Sequence, residues 1–241
     1  CIFVVIFIFS FSQVWSVSDR YLTSEDEVLF ISNGGPDGFA DTNNRAFSAP
    51  SGSIFTQLPH NPEDTWSFAT SEVDPGYNVA ENFWGLDNQV ITGIRFWGLS
   101  LYFSDDWDLC GTENPMSFEF TFYQDDSGNI GSVESQFIAT PTMNLTGDNY
   151  SDIYPLYEFE LTFPNPVILS EGWLSIQGQT ATSDDCWFLW SSSAAGDGNS
   201  YQYTSFWTST FYDRGMCLVG QDESLPGAGR CLEFDGADEY V

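Results

Sequence analysis

The sequence predicts an all-β fold, an antiparallel two-sheet jelly-roll β-sandwich, from three observations. Aromatic residues make up 17% of the chain, beside 21 glycines and 11 prolines, a composition that suits strands joined by tight turns. Two segments alternate at period two: Met116, Phe118, Phe120 and Phe122 against Ser117, Glu119 and Thr121, then Tyr157, Phe159, Leu161 and Phe163 against Glu158, Glu160 and Thr162. No stretch of useful length repeats at helical spacing, so long helices are not expected.

Taken in order, Cys1 to Ser16 is uncharged and almost wholly apolar, the pattern of a secretory leader, so residues 1–16 are expected to be a signal-peptide remnant. A membrane span needs about 20 apolar residues, and Asp19 and Arg20 interrupt the run. Residues 17–53, with Asn33-Gly34-Gly35-Pro36-Asp37-Gly38, read as an irregular lead-in. A sandwich domain is expected over 54–222. Its further strands are Ile54 to Leu58, Val79 to Trp84, Val90 to Phe103, Gln136 to Met143, Val167 to Leu169, Trp173 to Gln177, Cys186 to Ser191, Asn199 to Tyr203 and Phe211 to Val219. Turns are expected at Asp125 to Asn129, Thr146 to Asp148, Ser170 to Gly172 and Ala195 to Gly198. Residues 223–229 read as a linker, and 230–241 open a further strand.

Charge narrows the partners. The 35 carboxylates face only five basic residues, all arginine, for a net charge of −30. Such a surface repels nucleic acid and anionic lipid, so neither is an expected partner. The excess charge serves solubility or binds divalent cations. Outside Cys1, the cysteines are Cys110, Cys186, Cys217 and Cys231, with no CxxC spacing, and His60 is the single histidine. A zinc ribbon is therefore excluded.

Two segments echo each other: Ser104-Asp105-Asp106-Trp107-Asp108-Leu109-Cys110 and Ser183-Asp184-Asp185-Cys186-Trp187. With Val90 running up, Met116 runs down, Gln136 up, Tyr157 down, Val167 up and Cys186 down. Both segments, and Thr146 to Pro155, then fall at one end of the sandwich. A disulfide between Cys110 and Cys186 is the pairing this parity favours, in an oxidising compartment. Cys217, among Met216, Leu218 and Val219, is expected to be a buried thiol.

The same parity gathers Asp105, Asp106, Asp108, Asp148, Asp152, Asp184 and Asp185 at one rim. Calcium takes six to eight oxygens from flexible loops, so Asp105, Asp106, Asp108, Asp184 and Asp185 are candidate calcium ligands. The alternative is that they are solvated turn aspartates. Trp107, Trp187 and Trp207 are candidate ligand-binding residues, because flat rings beside carboxylates stack on sugars. The alternative is that they cap the core. His60 lies between prolines and no serine or cysteine sits in a nucleophile elbow, so no catalytic triad is expected. Glu119 with Glu158 or Glu160 fits solvent-face strand positions more simply than a glycosidase pair.

Two resemblances follow from quoted residues. Cys231-Leu232-Glu233-Phe234-Asp235-Gly236-Ala237-Asp238-Glu239-Tyr240-Val241 resembles the opening strand of laminin-G-like, concanavalin-A-like domains. Glu81-Asn82-Phe83-Trp84, Ile94-Arg95-Phe96-Trp97-Gly98, Phe118 to Tyr123 with Asp126 and Gly128, Trp173-Leu174-Ser175-Ile176 and Cys217-Leu218-Val219-Gly220 resemble bacterial secreted β-sandwich modules. Such modules recur in multidomain surface proteins. The chain is thus expected to be a noncatalytic extracellular module for adhesion or carbohydrate recognition, with a glycan or surface protein as partner. A structural spacer and an accessory domain of a glycoside hydrolase are the alternatives.

Overall fold

A computed structural model describes residues 30–32, 47–60, 67–87, 89–103, 107–110, 116–151, 153–179 and 186–222. In chain order the strands are β1 (Phe30–Ser32), β2 (Ser53–Gln57), β3 (Ser67–Thr70), β4 (Asn78–Phe83), β5 (Gln89–Phe103), β6 (Trp107–Leu109), β7 (Phe118–Asp125) and β8 (Ile130–Ala139). They continue as β9 (Thr142–Tyr150), β10 (Tyr154–Val167), β11 (Gly172–Gly178), β12 (Cys186–Ser193), β13 (Ser200–Tyr203), β14 (Trp207–Thr210), β15 (Asp213–Arg214) and β16 (Met216–Asp222). They form two antiparallel sheets packed as a sandwich. The larger follows the order β1-β3-β12-β5-β10-β9, and the smaller β14-β13-β4-β11-β7-β8.

β5 is the axis of the larger sheet. On one edge it pairs with β16 and then β12; on the other it pairs with β10 and then β6. β2 extends this sheet beyond β16. Between the sheets Phe96 of β5 stacks on Phe159 at 4.9 Å and meets Phe118, Phe120 and Phe188 edge-on at 5.2, 5.9 and 5.8 Å. Edge-to-face and offset aromatic pairs each add about 0.5–1.5 kcal/mol beyond area burial. The phenylalanine stripes at period two are therefore core, as their alternation requires. Gly98 has to lack a side chain, because a Cβ there would collide with the Phe188 ring and the Leu189 carbonyl.

The larger sheet is buried on its outer face as well. Trp97, Leu99 and Leu101 of β5 join Phe68, Leu189, Leu156, Tyr150 and Cys217 in a second apolar cluster, with Phe47, Leu58, Tyr154 and Trp187 packed against it. Tyr150 arrives from the β9–β10 hairpin and meets Phe68 at 5.1 Å. On the same face Arg95 holds Glu158 at 3.4 Å and Glu160 at 2.7 Å.

Several expectations change at their boundaries. Thr146 to Asp148 is not a turn; it lies inside β9 as a bulge, with Gly147 at φ 92° and Thr146 Oγ1 donating to the Leu156 carbonyl. Here the pairing steps from Tyr157↔Leu145 to Pro155↔Asn149, so the extra residues are absorbed without reversing the chain. Val167 to Leu169 is no separate strand, because Val167 closes β10 opposite Ile91. Gln136 to Met143 divides at Thr140-Pro141 between β8 and β9, and Gly215 separates β15 from β16. The Asp125 to Asn129 turn is a hairpin with Ser127 and Gly128 at positive φ, 56° and 84°, and its Asp126 and Asn129 backbones exchange hydrogen bonds.

The end of the sandwich far from Cys186 is filled by polar groups. Glu81, fully buried, accepts from Gln57 Nε2 at 3.2 Å and from the Arg214 backbone N–H at 2.8 Å. Asp213 accepts from the Gly198 and Asn199 backbones at 2.9 and 3.2 Å. Burial lowers the Arg214 guanidinium to about 10, while the Glu81 and Asp213 charges act to raise it. Burial, in each case the largest cause, raises Glu81, Asp213 and Glu158 above their ordinary values.

A raised folded value means that the folded chain keeps its proton longer than the unfolded chain. Stability from that proton is complete below the ordinary glutamate value of 4.5 and is lost as pH climbs through the folded value. The domain is thus expected to grow more stable as pH falls from about 7 to about 5, by up to about 1.4 kcal/mol per pH unit for each extra proton held. Urea denaturation at successive pH values checks this. A Glu81→Gln variant should show a shallower slope, and stability that falls on acidification would contradict the assignment.

Candidate functional site

The disulfide joins Cys110 and Cys186 with Cα atoms 5.9 Å apart. β6 and β12 flank the last residues of β5, so Asp108 and Cys186 both stand in register with Tyr102. The segments around Cys110 and Cys186 therefore share one end of the sandwich, as parity requires. The count behind that expectation contained a compensating substitution. Val167 to Leu169 belongs to β10, and the strand that actually intervenes before β12 is β11.

At this rim Asp108 is exposed and its carboxylate accepts from the Leu109 N–H at 2.8 Å. Asp105, Asp106, Asp152, Asp184 and Asp185 lie outside the described residues. Asp148 is half-buried in the β9 bulge, and its backbone donates to Thr146 Oγ1. Among the described residues no group of three or more histidine, cysteine or acidic side chains is gathered as a metal site. Cys217 is buried and free, and burial pushes its thiol up to about 11. Glu119 points out from the smaller sheet, whereas Glu158 and Glu160 lie on the outer face of the larger one, engaged by Arg95. These carboxylates stand on opposite sides of the sandwich.

All three candidate tryptophans belong to strands. Trp107 opens β6 opposite Phe103. Trp187 is the second residue of β12; half-buried, it packs against the outer cluster of the larger sheet with Tyr77 edge-on at 6.3 Å. Trp207 opens β14 opposite Tyr203. The loop between them is short, so the tetrapeptide from Trp207 to Thr210 pairs as a strand despite having no apolar alternation.

Trp207 belongs to an aromatic group on the outer face of the smaller sheet. Phe118, Phe120 and Phe122 point inward from β7, which turns Glu119, Thr121 and Tyr123 outward. Leu174 and Ile176 do the same for β11, leaving Trp173, Ser175 and Gln177 outside. On β13 Gln202 reaches inward to the Thr70 carbonyl, so Tyr201 and Tyr203 face out. Tyr203 meets Trp207 at 5.4 Å, Tyr123 meets Trp207 at 6.3 Å, and Tyr201 covers the buried Trp173 at 5.0 Å.

β14 and β7 are four positions apart in this sheet, about 19 Å at ordinary strand spacing. Rings at 6.3 Å therefore require the β13–β14 ribbon to curl over the face, and Trp173, Ser175 and Thr121 are buried beneath it. Tyr201 Oη reaches Asn129 in the β7–β8 turn at 3.3 Å, consistent with the same curl. Beneath the ribbon the polar groups pair with one another: the buried Ser175 Oγ donates to Asn78 Oδ1 at 2.5 Å, and the half-buried Gln177 Nε2 to the Tyr77 carbonyl at 2.6 Å. Burial raises the Tyr123 hydroxyl, with side-chain hydrogen bonds to Thr121 and Ser175 acting in the opposite direction.

Tyr123, Tyr201 and Tyr203 escaped the sequence reading. The available signal was the Tyr201-x-Tyr203 alternation in an expected strand, followed by a second aromatic at Trp207. Comparison with known proteins finds no matching family model, no match among curated proteins and no match among solved structures.

The disulfide closes a separation of 76 residues. Replacing both cysteines by serine should cost about 2–5 kcal/mol of stability by freeing the unfolded chain. Chemical denaturation of the wild type with and without reductant, beside the double variant, provides the measurement.

Proposed function

We propose that this chain is a noncatalytic extracellular module of a larger secreted or surface protein, serving carbohydrate recognition or glycan-based adhesion. The observation that carries the reading is the Tyr203–Trp207–Tyr123 group on the outer face of the smaller sheet. Tyr and Trp rings offer an apolar plane and a polar tip, which suits partners that are apolar on one side and hydroxylated on the other. The disulfide supports an oxidising, extracellular setting. The resemblance of 231–241 to the opening strand of laminin-G-like domains supports a multidomain context. The order β3-β12-β5-β10 facing β4-β11-β7-β8 supports the jelly-roll assignment. No helix among the described residues is long and apolar enough to cross a membrane.

Glycan-array screening followed by affinity electrophoresis is the direct test. The domain should bind at least one glycan, and Trp207→Ala should weaken that binding by about tenfold or more, equivalent to about 1.4 kcal/mol. An array without signal would favour the spacer reading instead.

Calcium is the proposed ion for the rim of Asp105, Asp106, Asp108, Asp184 and Asp185. Its support is the disulfide, which ties together the two cysteines that these aspartates flank in sequence. Calorimetry at about millimolar calcium should give binding heat and a raised melting temperature. No heat and no shift, against a chelated control, would remove the ion from the proposal.

A further inference from the structure

The geometry points to a narrower ligand class for the aromatic face: a single, neutral, soluble polysaccharide chain. This inference rests on the carbohydrate reading above and concerns the same site. It excludes anionic polymers and the flat surface of a crystalline polysaccharide.

Ring orientation argues against a flat surface. Tyr203 and Trp207 lie at 62° to each other, and Tyr123 and Trp207 at 81°. A crystalline face presents sugar planes in one sheet and needs coplanar rings to meet them. Rings turned steeply to one another instead suit a free chain, whose successive sugar planes rotate.

Charge argues against anionic polymers. An anionic glycan needs arginine or lysine at its contact surface, and the whole chain has no lysine. Of its five arginines, Arg95 lies on the outer face of the other sheet, paired with Glu158 and Glu160, and Arg214 is fully buried. Neither serves the aromatic face. Glu119 and Asp125 point out from β7 on this side, and the net charge is −30. A polyanion would meet like charge well within the screening length of about 8 Å.

The groups left on the face suit uncharged hydroxyls. Asn78 and Gln177, both half-buried, carry amides, Tyr123 a phenol and Glu119 a carboxylate acceptor, while Thr121 and Ser175 are buried beneath them.

Affinity electrophoresis and pull-down on the intact chain separate the classes. The neutral arm uses mixed-linkage β-glucan, xyloglucan and galactomannan; the anionic arm alginate, polygalacturonate and chondroitin sulfate; the crystalline arm microcrystalline cellulose and chitin. The expected result is retardation by at least one neutral soluble polymer, little changed by added salt, with no binding in the other two arms. Trp207→Ala and, separately, Tyr203→Ala should weaken that retardation about tenfold or more while leaving the melting temperature near that of wild type. Trp207→Tyr should retain most of it.

Binding confined to the anionic or crystalline arm, and weakened by Trp207→Ala, would overturn the ligand class while sustaining the carbohydrate reading. Neutral binding that both alanine variants leave intact would overturn the assignment to this face. Silence in all three arms would overturn both the class and the carbohydrate reading.

Discussion

Burial of β5 on both faces is the constraint from which the rest of the structure follows. One face of this strand supplies Phe96 to the aromatic core between the sheets; the other supplies Trp97, Leu99 and Leu101 to a second cluster. A strand buried twice has to be covered twice. The smaller sheet provides one cover, and the β9–β10 hairpin with the segment around Phe47 and Leu58 provides the other. Backbone satisfaction follows the same logic, since β16, β12, β10 and β6 pair along both edges of β5.

Where a strand has one wet face, its residues announced it. Phe118 to Phe122 and Tyr157 to Phe163 alternate cleanly, and both lie where alternation places them. The turn at Asp125 to Asn129 was equally legible, because Ser127 and Gly128 must both take positive φ. β5 was legible as a strand, yet its near-continuous apolar run from Ile94 to Phe103 signals burial on both faces rather than one. The β9 bulge was hidden for a different reason. Thr-Gly-Asp has the chemistry of a turn, and only pairing with Leu156 keeps the strand going. The four-residue strands β3 and β14 owe their conformation to their neighbours, Trp190 and Tyr203 among others, and are too short to carry much signal of their own.

The candidate site was partly legible for related reasons. Cysteine parity located one end of the sandwich, because strand direction alternates and a disulfide tolerates little separation. Individual aromatic residues were visible, but their grouping was not. Tyr123 and Trp207 lie far apart both in sequence and in strand order, and only the curvature of the sheet brings them together. The two described arginines are both engaged within the fold, one between Glu158 and Glu160 and one in the interior, which leaves the acidic exterior without a local counterweight from them.

β2 and β16 lie side by side, with Val219 opposite Ser53, and Asp222 stands opposite Gln89 at the start of β5. Ser53 and Asp222 therefore stand at a single pole, remote from Cys186. Tension applied between those two residues would peel β2 from β16 one hydrogen bond at a time.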